Sequence, residues 1–103
     1  MIRVLFVCEH NSARSQMAEA YLKKFGGDKF VVDSAGLEAG QLNPLVVEAM
    51  LEEDIDISNN ATNNVISYFQ QERSFDIIIT VCSPEVSEKC PIFPGKTLRL
   101  NWP

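Results

Sequence analysis

Long apolar runs are missing from this 103-residue sequence. None approaches the roughly 18 residues that a transmembrane helix needs, so no membrane span is expected. A secretory leader is not expected either. Met1-Ile2-Arg3 runs straight into a strand-like segment, with no extended apolar region and no small-residue cleavage site. The expected location is therefore cytoplasmic. Positive charge is scarce: Lys and Arg total 9 against 14 Asp and Glu, a net charge of −5. That balance argues against nucleic acid and anionic membranes as partners. Any anion site must be a local positive focus within an acidic protein. Cysteine is limited to three residues. In a cytoplasmic chain, three cysteines point to chemistry rather than to a structural framework. Internal repeats and low-complexity tracts are absent as well.

What is present is enough for one real core. The length suits a single domain over residues 1–103. A hydrophobic fraction of 46% and a charged fraction of 22% are ordinary for a globular protein. Ile2–Val7 is a nearly continuous apolar run and reads as a strand buried on both faces. Ala13 to Phe25 has helical spacing, with Met17, Ala18, Tyr21, Leu22 and Phe25 on one side, and Gly26-Gly27 ends it. Lys29–Ser34 reads as a second strand. Asn43 and Pro44 supply an N-cap and first position for a helix with Leu45, Val46, Ala49 and Met50 as its stripe. Asp54–Ser58 is a short connection. Thr62 is the expected cap of a third helix carrying Val65, Ile66 and Phe69. Phe75–Val81 is the strongest buried-strand signal, Ser83-Pro84-Glu85 looks like another cap and first turn, and Thr97–Leu100 reads as a less buried strand. Strands alternating with helices predict an α/β fold: one three-layer domain, a four-stranded parallel sheet flanked by helices.

Ligands of such sheets bind at the carboxyl ends of the strands. Cys8 stands at the end of the first strand, and Arg14 follows at the start of the first helix. A strand, a short loop and a helix N-terminus suit a tetrahedral oxyanion. Loop N–H groups converge on the anion, and the helix dipole favours negative charge. An arginine at the helix start adds a planar, bidentate fork. The same field favours a thiolate, which poises Cys8 as a nucleophile. The bland alternative is a buried cysteine that merely ends a core strand. The strand before Cys8 and the helix after it favour the oxyanion reading.

Cys82 ends the third expected strand, so its thiol is expected at the same sheet edge as Cys8. Taken alone, Cys82 and Cys90 could be a small buried hydrophobe and a loop bystander. Zinc is disfavoured, because the spacings Cys-x-His and Cys-x7-Cys fit no common pattern. A redox role is the sharper reading: one nucleophilic thiol and two more near one edge can pass a disulfide along a relay. Were Ser83 to Lys89 a straight helix, Cys82 and Cys90 would lie about 12 Å apart along its axis. A disulfide needs Cα atoms within roughly 4.4–6.8 Å. Bridging them would require that segment to unwind, and Ser, Pro and clustered charges make unwinding cheap.

The sequence resembles the thioredoxin-coupled arsenate reductases, which share the fold of low-molecular-weight protein tyrosine phosphatases. The matching stretches are Val7-Cys8-Glu9-His10-Asn11-Ser12-Ala13-Arg14-Ser15-Gln16-Met17-Ala18-Glu19-Ala20, Ser34-Ala35-Gly36, Asn43-Pro44, Asp54-Ile55-Asp56-Ile57-Ser58, and Val81-Cys82 through Cys90-Pro91. They span nearly the whole chain. The Cys8-x5-Arg14-Ser15 loop is specific to the superfamily, and the added Cys82 and Cys90 point to its reductase branch. The resemblance implies that Glu9, His10, Asn11, Ser12, Ala13 and Arg14 form the substrate loop, with Asn11 holding its shape. It implies that Cys8 attacks arsenate and that Ser15 hydrogen-bonds the Cys8 thiolate. Cys82 would then attack the Cys8–arsenic adduct, and Cys90 would attack Cys82. Thioredoxin would reduce the resulting Cys82–Cys90 disulfide, with no other cofactor. The alternative is a phosphomonoesterase of the tyrosine phosphatase type, using Cys8 and Arg14 and ignoring Cys82 and Cys90. Some members bind potassium beside the loop through Asn, Ser, Thr and Asp side chains. Asn11 and Ser34 match, whereas Ala61 and Asn63 fall near the Thr and Asp positions, so no metal site is carried over. The chain stops at Asn101-Trp102-Pro103, where the family's general-acid Asp-Pro loop begins. The resemblance thus leaves that Asp and the final helix unaccounted for.

Overall fold

A computed structural model describes residues 2–9, 14–38, 40–60, 62–81 and 97–102. The apolar run at the N-terminus forms β1 (Ile2–Cys8), which becomes buried from Val4 onward. α1 (Arg14–Gly26) and a short 3-10 turn (Gly27–Lys29) lead into β2 (Phe30–Gly36). α2 (Pro44–Glu52), α3 (Val65–Gln70), β3 (Ile77–Thr80) and β4 (Leu98–Asn101) follow. The sheet order is β2-β1-β3-β4, and every pairing is parallel.

The chain leaves β1 for β2 on one side and later returns to β3 on the other. β1 is therefore the switch point, and its carboxyl end opens into the crevice where ligands of such sheets bind. Period-two alternation splits its side chains between two cores. Leu5 and Val7 pack with Ala35, Val65, Phe75 and Ile78 on the α3 side. Val4, Phe6 and Cys8 pack with Val32, Ile79 and Val81 on the other side, beneath Ala18 and Leu22 of α1. A third cluster joins Ala20 of α1 to Met50 of α2 and to Ile57. The sheet is thus covered on both faces, as the sequence pattern predicts.

Several local expectations change. α1 has no single apolar stripe. Ala18 and Leu22 face the sheet, Met17 and Tyr21 face α2, and Phe25 is 75% exposed. The residues of α1 that are buried are Ser15, Gln16, Glu19 and Ala20, a largely polar face. The helix continues through Gly26, and the turn falls at Gly27, whose φ of +62° suits glycine. Asn43 caps α2 as expected, its side chain accepting the Leu45 N–H, but Leu45 itself is exposed and only Met50 of the expected stripe is fully buried. Thr62 does not cap α3. Its hydroxyl donates to the Gly40 carbonyl, and Asn64 supplies the cap by accepting the Ile66 N–H at 2.7 Å. β3 as a strand is shorter than Phe75–Val81, although main-chain bonding runs past both ends: Asp76 donates its N–H to the Arg3 carbonyl, its carboxylate accepts the Arg3 N–H at 2.8 Å, and Val81 donates to the Val7 carbonyl. β4 has exposed Leu98 and Leu100, in line with a less buried strand.

Candidate active site

Cys8 ends β1 opposite Gly36, the last residue of β2. Its side chain is buried at 4% exposure. The Cys8 carbonyl accepts the Leu37 N–H, and the Glu9 carbonyl accepts the Glu38 N–H, which carries the β1–β2 pairing past the strand ends. The thiol is thus mounted on main chain tied to its neighbour.

Ser15, in the first turn of α1, is fully buried and puts its hydroxyl 2.9 Å from the Cys8 sulfur. Against a thiol, either group can donate. Against a thiolate only the hydroxyl can, and that bond favours the charged form. Arg14 opens α1 and directs one guanidinium nitrogen toward the Val81 carbonyl at 3.4 Å, just past β3. Val81 in turn donates its N–H to the Val7 carbonyl at 2.9 Å. The arginine therefore spans from the helix start to the carboxyl edge of the sheet. A thiol, a hydroxyl and a guanidinium are gathered at the switch point. Nucleophilic attack on a bound oxyanion is the chemistry that such a set supports.

Of the residues expected at this site, Cys8, Glu9, Arg14 and Ser15 are described. His10, Asn11, Ser12, Ala13, Cys82, Cys90 and the cap at Ser83-Pro84-Glu85 lie outside the described residues. Two groups behind the thiol escape an apolar-periodicity reading. Gln16 is completely buried, and its side-chain oxygen accepts from the Asn60 amide at 3.1 Å. Glu19 is 9% exposed, and its carboxylate accepts from the Ser34 hydroxyl and from the Lys23 ammonium. The available signal was polar spacing: Ser15, Gln16 and Glu19 recur at helical intervals directly after Arg14.

The described residues do not fit the potassium donor set that the resemblance implies. Ser34 already donates its hydroxyl to the Glu19 carboxylate. Asn63 uses its side-chain amide to donate to the Ser34 carbonyl at 3.1 Å and brings no charge.

Residues 3–101 match the family model for low molecular weight phosphotyrosine protein phosphatase. Arsenate reductase 2 of Staphylococcus epidermidis is 43% identical over 99 residues, covering 96% of this chain and 73% of the relative. A solved arsenate reductase in its phosphate-binding state superposes with a TM-score of 0.78 at 31% identity, covering 99% of this chain and 76% of the other. A thioredoxin-dependent arsenate reductase of Corynebacterium glutamicum gives a TM-score of 0.80 at 36% identity, covering 99% of this chain and 51% of that one.

Proposed function

The chain belongs to the low molecular weight phosphotyrosine protein phosphatase family, and from that premise we propose that it reduces arsenate to arsenite by a three-cysteine relay. Arg14 and the loop from Glu9 through His10, Asn11, Ser12 and Ala13 hold the oxyanion. The Cys8 thiolate attacks arsenic(V), and an arsenate oxygen leaves as water, forming a Cys8–arsenic bond. The Cys82 thiolate then attacks the Cys8 sulfur. The sulfur–arsenic bond breaks, its electron pair stays on arsenic, and arsenite departs as arsenic(III). The Cys8–Cys82 disulfide left behind is attacked at Cys82 by Cys90, which frees Cys8. A dithiol reductant of the thioredoxin class returns the Cys82–Cys90 disulfide to thiols.

The observation that carries this reading is the hydrogen bond between Val81 and Val7, the residues immediately before Cys82 and Cys8. It joins the two segments that the relay needs together. Support also comes from the similar proteins named arsenate reductases. The 2.9 Å contact between Ser15 and Cys8 supplies a reason for the nucleophile to be a thiolate.

The family's own description favours a second reading, a phosphomonoesterase using Cys8 and Arg14. Coupled assays separate the two. With arsenate, thioredoxin, thioredoxin reductase and NADPH, the relay reading expects arsenite and NADPH oxidation that vanish in Cys8→Ser, Cys82→Ser and Cys90→Ser. Thioredoxin-dependent turnover that survives Cys90→Ser sinks the relay. Phosphoester hydrolysis lost only in Cys8→Ser supports the phosphatase reading.

A further inference from the structure

Glu19 carries a carboxylate almost out of reach of water, on the same face of α1 as Ser15 and Gln16. Such a group is retained in charged form only when it is paired and hydrogen-bonded. One oxygen accepts from the Ser34 hydroxyl at 2.5 Å, and the other accepts from the Lys23 ammonium at 2.6 Å. Ser34 gives its carbonyl to the Asn63 side-chain amide, and the Asn63 carbonyl accepts the Gly36 N–H at 2.8 Å. Gly36 is the β2 residue paired with Cys8. The network therefore ties α1, the end of β2 and the segment before α3 to the strand end that bears the thiol.

We propose that the Lys23 ammonium is the resident counter-cation of Glu19, and that this network needs no alkali metal ion. Lys23 lies one helical turn after Glu19, so α1 itself delivers the charge. Its side chain is 56% exposed while that of Glu19 is 12% exposed, so the lysine stands between the carboxylate and solvent. The two residues line a cavity of about 440 Å³, with Lys24 and Asp54 also on its wall. Asp56 lines the same cavity, so its wall carries both signs of charge, and the Lys23 ammonium is the one paired with Glu19 at 2.6 Å. Among the described residues of this network only Glu19 is anionic, so nothing else in it repays the dehydration of a second cation. Lys23 is a positioning residue: it fixes one oxygen of the Glu19 carboxylate, and the other holds the Ser34 hydroxyl two residues before Gly36.

Thermal unfolding in potassium chloride and in tetramethylammonium chloride, at equal ionic strength, tests this. The wild-type Tm should agree between the two salts to within about 1 °C, while Lys23→Met should unfold about 4 °C or more lower in tetramethylammonium. Lys23→Arg should behave as wild type in both salts. A wild type that potassium stabilises over tetramethylammonium overturns the proposal, because a metal ion then binds beside Lys23. So does a Lys23→Met protein with the wild-type Tm in both salts. Arsenate plays no part in the measurement, so its outcome stands apart from that of the proposed activity.

Discussion

Val81 donates its N–H to the Val7 carbonyl at 2.9 Å, joining the residues that precede Cys82 and Cys8. The two residues are 74 positions apart (81 − 7) in sequence. Parallel pairing of β1 with β3 makes them neighbours, with Val7 opposite Thr80 in the register. The proposed relay needs these two segments side by side.

Removing the last thiol should therefore trap the first disulfide. Cys90→Ser treated with one equivalent of arsenate is expected to release one equivalent of arsenite and stop. Peptide mapping by mass spectrometry should find Cys8 linked to Cys82. Arsenite release without that crosslink would mean that another thiol resolves the adduct.

Ser15→Ala should slow the nucleophile without unfolding the chain. A hydrogen bond to a charged partner is worth about 1.5–3 kcal/mol, so alkylation of Cys8 by iodoacetamide near neutral pH should slow by about tenfold or more. The measurement belongs in a Cys82→Ser/Cys90→Ser background, so that one thiol reports. Ser15→Thr, which keeps the hydroxyl, should lie between the two. An unchanged rate in Ser15→Ala would separate the 2.9 Å contact from reactivity.

Arg14→Lys should weaken oxyanion binding even though the charge is kept. The guanidinium is a planar fork that can engage two oxygens, whereas an ammonium is a point charge. Titration calorimetry with sulfate or arsenate should show a Kd raised by about tenfold, the equivalent of one lost charged hydrogen bond at its weaker end. Equal affinity would place the anion outside the reach of Arg14.

Tyr68 predicts an alkaline limb in the stability profile. Burial pushes its hydroxyl up from the ordinary tyrosine range, and the Asp33 carboxylate adds to the effect. The Arg73 guanidinium, 4.4 Å from the ring centroid, acts in the opposite sense. A group whose pKa is raised by folding stabilises the native state fully below its unfolded pKa, near 10. That contribution is lost as pH rises through the folded value. Urea denaturation at pH 9 and pH 11 should show a steeper loss in wild type than in Tyr68→Phe. Parallel losses would mean that Tyr68 titrates alike in both states.

Local pattern alone determined much of this protein. The apolar run of β1, the Asn43-Pro44 start of α2 and the spacing from Cys8 to Arg14 are short-range features. Each is set by residues close in sequence, through backbone sterics, capping and side-chain periodicity. The polar face of α1 was decided elsewhere. A helical wheel assigns Ser15, Gln16 and Glu19 to solvent, since burial of a polar group is costly by default. That cost is offset in part when Cys8, Asn60 and Ser34 supply partners from outside α1, and the packing of β1 and β2 beneath the helix is what brings Cys8 and Ser34. The α3 cap falls on Asn64 rather than Thr62 because the helix begins at Val65, while the Thr62 hydroxyl donates to the Gly40 carbonyl far along the chain. Phe25 went the other way. Its apolar character suits a core, but it stays exposed and stacks on Tyr21 of its own helix. Sequence dictates which groups can react or cap; only tertiary packing dictates which partners lie within hydrogen-bond distance, because that depends on segments far apart along the chain.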